Sequence, residues 1–399
     1  MKVNRHKLVI LIIAFLWACG MKAQETVNDS IAATERDDFV TVSLIVGSPL
    51  RAIWSTLGHA TLRLQCPTHE LDYVFTFESD TNVNGFLTGI AGKAQAKFVI
   101  VPAETYFDDA RQMGRQLQEA TINLTLNERK ELWRQLDQQM MAGAYRHFNL
   151  IYTNCVLTAI QTVQGVLQNE HIEWGPTPYE MTHNDGDYFR YVLRRSPWSE
   201  FTFITFIGTA YEHHSPFEAK LSPDNILTLL SQASIVNDAT GESRPALRGT
   251  PAIVLEGKPE PVETFTPLIA FALFLLLTLV VSAIGLWEHG RHIATTYDLL
   301  LFTAQTLVFL LLVFMTFYSE LFPGRWNWYL LPFLPVPLLL WVLERKRNTA
   351  RWWFAYSIML AAFICATPLV GALDWPHQLI TASLLVRSLN RYLLLTHKQ

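Results

Sequence analysis

The 399-residue sequence is poor in charge: Asp, Glu, Lys and Arg make up 17% of it, against 50% hydrophobic residues. No long basic run occurs in the first half and the formal net charge is −4, which excludes a nucleic-acid track. Cysteine is scarce, four in all, and neither a Cys-x-x-Cys nor a His-Glu-x-x-His spacing is present. His147, His171, His183, His213 and His214 are therefore not read as metal ligands. Of the cysteines, Cys19 directly follows the first apolar run and Cys365 falls in a late one. Cys66 and Cys155 remain, and in an oxidising compartment their default fate is a disulfide.

Charge is also missing in one place above all. Residues 25–260 carry most of the Asp, Glu, Lys and Arg, whereas 265–395 are dominated by Leu, Phe, Val, Ile and Trp. Two solvents are implied, water first and lipid second. From Phe265 to Leu286 no charge occurs, long enough at 1.5 Å per residue to cross a roughly 30 Å hydrocarbon core. Leu299–Phe317, Trp328–Leu343 and Trp352–Leu373 are read as further spans, the third kinked by Pro332, Pro335 and Pro337. His377–Leu395 is a fifth candidate interrupted by Arg387 and Arg391, one helical turn apart. Those arginines are expected to snorkel to the inner interface, with a lipid phosphate as the alternative partner.

Lys2, Arg5 and Lys7 precede an apolar run from Leu8 to Ala18, and Ala23 offers a small residue for cleavage: an export signal over 1–23. Lipid processing at Cys19 and an uncleaved anchor are the rival readings. Arg345, Lys346, Arg347 and Arg351 after the third span, and Arg291 after the first, mark cytoplasmic loops. The charged domain then faces the periplasm from the inner membrane. On its side lies Pro323-Gly324-Arg325-Trp326-Asn327-Trp328, read as an interfacial aromatic belt. The layout expected is a signal at 1–23, an exported domain at 24–255, a linker at 256–264 with its Pro-rich approach from Thr250, and a transmembrane domain of four to five helices at 265–399.

Within the exported domain, residues 39–46, 59–64, 71–77 and 97–101 are rich in β-branched and aromatic residues and read as strands, with a hairpin connection between Leu64 and Leu71. Helices are expected at Thr105–Leu117, then to Met141 from the capping box Thr125-Leu126-Asn127-Glu128, then from Thr153–Cys155 onward. Val156, Ile160, Val163 and Leu167 make that last helix's buried stripe. Residues 170–255 read as a loop-heavy lobe.

This puts Cys155 in a first helical turn, where unpaired N–H groups and the helix dipole favour thiolate and can hold an oxyanion. Asn154 before it either caps the helix or positions the site. His59, opening a strand between Gly58 and Ala60, is the candidate base. A strand histidine meeting a helix-start cysteine is the geometry of an α+β papain-like fold, here with His before Cys as in circularly permuted members. If 59–66 is extended, Cys66 lies up to roughly 23 Å from His59, which sets a catalytic Cys155 against a Cys66–Cys155 bridge.

Leu57-Gly58-His59-Ala60-Thr61-Leu62-Arg63, Asp72-Tyr73-Val74-Phe75, Leu124-Thr125 with its helix, and Tyr145 through Phe148 to Asn154-Cys155 resemble, in order and spacing, the periplasmic domain of the Bacteroides-type lipoprotein N-acyltransferase family, Lnb. Ser196-Pro197-Trp198, Phe206-Ile207-Gly208 and the multi-span second half are similar to that family's later segments. The resemblance implies transfer of a fatty acyl chain from a phospholipid, through a Cys155 thioester, to the α-amino group of a diacylglyceryl-cysteine lipoprotein. Its partners are the phospholipid donor, the lipoprotein acceptor and the membrane, and it needs no cofactor. After Phe75 the family continues Asn-Tyr-Gly, whereas this chain has Thr76-Phe77-Glu78. The residue that orients His59 is thus Thr76, or alternatively Glu78 or Asp72. Two rivals use the same residues differently: a membrane-tethered cysteine amidase or peptidase of the cell envelope, and an inactive membrane scaffold.

Overall fold

The computed structural model describes residues 39–51, 55–79, 83–149, 153–208, 213–321, 326–344, 347–369 and 374–396. The export signal, Pro323-Gly324-Arg325 and Arg345-Lys346 lie outside the described residues.

The chain runs β1 (Thr41–Gly47), β2 (His59–Cys66), β3 (Leu71–Ser79), α1 (Val83–Ile90), β4 (Gln95–Pro102), α2 (Ala103–Met113), β5 (Leu117–Ile122), α3 (Leu126–Met141), β6 (Tyr145–His147) and α4 (Cys155–Gln164). There follow β7 (Glu170–Glu173), α5 (Tyr179–Thr182), α6 (Asp185–Leu193), α7 (Pro197–Ile207), α8 (Ile226–Gln232), β8 (Ser234–Asn237), β9 (Ser243–Pro245) and β10 (Leu247–Leu255). Seven strands form one antiparallel sheet in the order β10-β5-β1-β2-β3-β4-β6, and β7-β8-β9 form a small second one. This is an α/β domain built on a large sheet.

Period-two alternation divides the sheet's faces. Val42, Leu44, Leu62, Leu64 and Phe75 join the core under α3 and α4, while Ile45, Val74 and Leu117 pack with Ala103 and Ala110 of α2 on the other face. Burial on both sides explains why Leu44, Ile45 and Val46 of β1 are consecutive hydrophobic residues rather than an alternating pattern.

The expected capping box forms: Thr125 Oγ1 accepts from the Glu128 N–H and Glu128 Oε2 accepts from the Thr125 N–H at 2.7 Å. The helix expected over Thr105–Leu117 is a helix and then a strand. Gly114, left-handed at φ 71°, ends α2, and Leu117 enters β5 beside β1. The approach from Thr250 to the linker is strand, because β10 continues to Leu255 paired with β5. The lobe beyond residue 170 is more regular than expected, with α6, α7 and the small sheet.

The second half is helical: α9 (Pro267–Ile284), α10 (Arg291–Phe317), α11 (Leu330–Phe333), α12 (Val336–Leu343), α13 (Ala350–Leu369) and α14 (Trp375–Thr396). Among the described residues, three helices, α9, α10 with its preceding turn, and α13, are long and apolar enough to cross a membrane. Leu268, Leu273, Leu276 and Val280 of α9 are exposed, a surface suited to lipid. The proline-rich stretch breaks between α11 and α12, and its loosened carbonyls find donors: Gln305 Nε2 donates to Pro332 O at 3.0 Å and to Leu334 O at 2.9 Å, and Tyr356 Oη to Pro332 O at 2.8 Å.

Arg387 and Arg391 do not snorkel. Arg387 is fully buried and forks onto Asp298 at 2.6 and 2.8 Å, and Arg391 Nε reaches the same carboxylate at 2.7 Å. A charge buried among helices is held by an opposite charge when one is in reach, and Asp298 on α10 supplies it. The lipid-phosphate alternative for Arg387 falls with the same observation.

The two halves are packed together. Ser319 Oγ donates to Ile90 O at 2.6 Å and Glu320 N to Ala91 O at 2.9 Å, and Gly92 leaves no room for a Cβ against the Leu321 backbone. Farther along, Asn327 Nδ2 donates to Thr205 O at 2.8 Å, and Tyr329 stacks on His377 with ring centroids 3.8 Å apart. One apolar core runs from the sheet through α7 into α10, α13 and α14.

Candidate active site

β2 and β3 pair from Cys66↔Leu71 up to Leu62↔Phe75, and there the ladder stops. Beyond it β3 continues paired with β4, while the start of β2 stays with β1, where His59 stands opposite Gly47. The strands therefore part at the end that carries His59, Ala60 and Thr61 on one side and Thr76 and Phe77 on the other. The N-terminus of α4 lies at this opening, and its Cys155 lines a cleft with Ala60, Thr61, Phe75, Thr76 and Phe77.

His59 and Thr76 bridge the parting strands, Nε2 to Oγ1 at 2.8 Å. With Nε2–H donating to the threonine, Nδ1 is left as the basic nitrogen. Ala60, the next residue, directs its backbone N–H at the Cys155 sulfur, as do the N–H groups of Cys155 and Val156 in the first turn of α4. A sharp turn delivers His59: the Gly58 N–H donates to Ser55 O at 3.0 Å, and Gly58 sits at φ 79° with Gly47 O 2.6 Å from where a Cβ would stand.

Asn154 is the N-cap of α4. Its Oδ1 accepts the Leu157 N–H at 2.8 Å, and its Nδ2 donates to Leu221 O at 3.2 Å. It fixes the helix start and hence the cysteine. Of the alternatives to Thr76, Asp72 is taken by Arg63 through bonds of 2.7 and 2.6 Å, and Glu78 is exposed on β3. Cys66 closes the opposite end of β2, packed with Phe39 and Val40, and is not joined to Cys155.

Burial dominates the electrostatics. It holds the His59 imidazole down to about 4, with the Arg115 guanidinium adding to the effect. Burial also pushes the Cys155 thiol up, against the N–H groups of Ala60, Val156 and Cys155 and the charge of Arg115. The helix start thus tempers the cost of a thiolate without overcoming desolvation, and burial favours the neutral form of both the thiol and the imidazole. Both residues keep partial access to solvent.

Arg115 and Tyr106 belong to this site and escape sequence reasoning, because the expected helix over 105–117 hides them on one more helical face. The signal that could have found them is Gly114, whose left-handed cap turns the chain and aims the next residue inward. Arg115 is 9% exposed, and its Cδ lies 2.7 Å from where a Gly47 Cβ would be, on the strand position facing His59. Burial lowers its guanidinium, while Tyr106 and Cys155 act on it as potential anions. Among the described residues no carboxylate pairs with it, and its Nε and the Tyr106 hydroxyl are both buried without a hydrogen-bond partner.

The family model of the Lnb N-terminal periplasmic domain matches residues 29–183, and that of the Lnb transmembrane domain matches residues 259–399. No curated protein and no solved structure matches the chain.

Proposed function

This chain belongs to the Lnb family, a membrane protein with a periplasmic domain, and from that premise we propose that it is a lipoprotein N-acyltransferase working through a Cys155 thioester. The periplasmic domain carries the chemistry in a papain-like arrangement with His before Cys, and the multi-pass helices hold it to the inner membrane.

Cys155 Sγ attacks an ester carbonyl of a phospholipid as His59 Nδ1 takes the thiol proton. The carbonyl oxygen takes up the negative charge at the N-terminus of α4. On collapse the ester C–O bond breaks, and the departing lysophospholipid oxygen takes the proton from His59. The neutral α-amine of a diacylglyceryl-cysteine lipoprotein then attacks the thioester, gives a proton to His59 and becomes an amide. The expelled sulfur recovers that proton. Thr76 Oγ1, 2.8 Å from Nε2, holds the imidazole in place through both halves.

The observation that carries the reading is the wall of the cleft at Cys155, where Leu62, Phe75, Phe77, Phe98 and Leu136 supply most of the surface, with Gln139 and four threonines between them. Such a lining accepts an acyl chain and limits the water that would hydrolyse the thioester. A cell-wall peptide would call for a polar cleft, so the amidase reading is the weaker one.

Intact-mass analysis of purified protein incubated with a defined phospholipid in detergent tests the proposal. Wild type gains one fatty-acyl mass that hydroxylamine removes, and Cys155→Ala gains none. Cleavage of a cell-wall peptide without acylation would establish the amidase. An inert wild type would establish the scaffold.

A further inference from the structure

We propose that Arg115 and Tyr106 form the receptor for the phosphodiester of the acyl donor, so that the enzyme selects phospholipid over phosphate-free esters at the site where acylation occurs. The inference rests on the acyl-transfer reading and adds to it which part of the lipid is recognised.

A guanidinium 9% exposed, with no carboxylate paired to it among the described residues and with a buried unpartnered Nε, is costly to keep. Gly47 makes the space for it, since a Cβ there would stand 2.7 Å from Arg115 Cδ, and Gly47 faces His59 across the β1–β2 ladder. Cross-strand neighbours lie roughly 5 Å apart, so the cation is held beside the base. From α2 the Tyr106 hydroxyl, also buried and unpartnered, is electrostatically coupled to the same Arg115 and Cys155. Tyr106 packs against the Ile45 and Leu117 cluster, and Leu117, like Arg115, lies against Gly47. Two orphaned donors on the His59 side of the sheet thus call for an acceptor that arrives with the substrate.

A phosphodiester suits them better than the reaction's own oxyanion. Its negative charge is permanent and offsets the buried cation from the moment of binding, and the guanidinium fork matches phosphate oxygens. The transient oxyanion has the backbone N–H groups at the start of α4. In a glycerophospholipid only the glycerol backbone separates the ester from the phosphate. An arginine beside His59 therefore grips the phosphate while the ester lies at Cys155. The phosphate is common to all headgroups, so this receptor selects the class of donor and not the headgroup.

The test compares single-turnover acylation of Cys155 by a diacyl phospholipid and by a phosphate-free long-chain nitrophenyl ester, in wild type, Arg115→Met, Arg115→Lys and Tyr106→Phe, with thermal unfolding in the same detergent. The expected result is a fall of about 10- to 100-fold in the ratio of the phospholipid rate to the ester rate for Arg115→Met, and a smaller fall for the other two. If both rates drop together in folded variants, leaving the ratio unmoved, Arg115 serves the oxyanion and the inference is overturned. Should Arg115→Met prove unfolded, Arg115→Lys and Tyr106→Phe decide by the same ratio. If wild type is acylated by neither donor, the acyl-transfer reading itself falls and takes the inference with it.

Discussion

Thr76 on β3 holds Nε2 of His59 on β2 at 2.8 Å across the point where those strands cease to pair. A hydroxyl donates and accepts with little electrostatic bias, so it orients the imidazole without drawing a positive charge onto it. An Asp in that position would stabilise imidazolium and pull the pair toward thiolate and cation. Thr76 suits an imidazole that burial keeps neutral.

Thr76→Val keeps the shape and removes the bond, leaving a buried ring N–H unmatched. Acyl-enzyme formation is expected to slow by about tenfold or more, and Thr76→Ser to recover most of it. Single-turnover mass analysis reads both, and an unaffected valine variant would mean that packing alone orients His59.

Because burial lowers the His59 imidazole from 6.5 to about 4, the base survives in acid. The acid limb of the acylation rate is expected near pH 4 rather than 6.5. The unfolded chain takes up the proton from about 6.5 downward while the folded state resists until about 4. This group's stability contribution is therefore complete above 6.5 and is lost as pH falls toward 4, by at most about 3 kcal/mol. Unfolding curves for wild type and His59→Gln between these limits test the sign: wild type should lose more.

The thiol pushed up by burial predicts slow alkylation. Iodoacetamide labelling of Cys155, read by peptide mapping, is expected to keep rising with pH beyond the ordinary thiol range. A plateau extending into acid would instead reveal a thiolate–imidazolium pair.

Gly58→Ala meets both a left-handed φ of 79° and the Gly47 carbonyl oxygen 2.6 Å away. A cost of about 1–3 kcal/mol is expected, together with slower acylation, because the same turn delivers His59. Calorimetry in detergent and the acylation assay separate the two effects.

Arg387→Met would strand Asp298 among the helices with only Arg391 to pair it. A loss of about 3–5 kcal/mol is expected, and removing the under-paired carboxylate with Asp298→Leu on the same background, which leaves Arg391 to Glu344, should recover part of it. Thermal unfolding of the two variants in detergent checks this.

Local rules reached a long way into this chain. The cap at Thr125, the buried Val156, Ile160 and Val163 of α4, the apolar run of α9 and the break at Pro335 follow from neighbours in sequence, and each is in place. Leu167 of the expected stripe is buried beyond the helix end at Gln164. His59 and Cys155 stand out in the sequence as reactive residue types at element starts and Thr76 as one of three candidates where the chain departs from its family's motif, and the structure places Thr76 against His59. Arg115 and Tyr106 do not stand out, because one glycine converts an apparent helix into a helix, a turn and a strand, and only then do the two side chains come to the same side of the sheet.

What the sequence determined by itself is what short range and solvent dictate: which segments prefer water or lipid, where helices begin, and that a cysteine opens one of them. The tertiary structure decided what depends on distance through space. It parted β2 from β3 to admit α4 and buried the thiol enough to overrule its helix dipole. It also found Asp298, 89 residues away in sequence, for an arginine that would otherwise reach for the interface. Coulomb and desolvation energies depend on who is near, and proximity across a fold is not written in any local stretch of the chain.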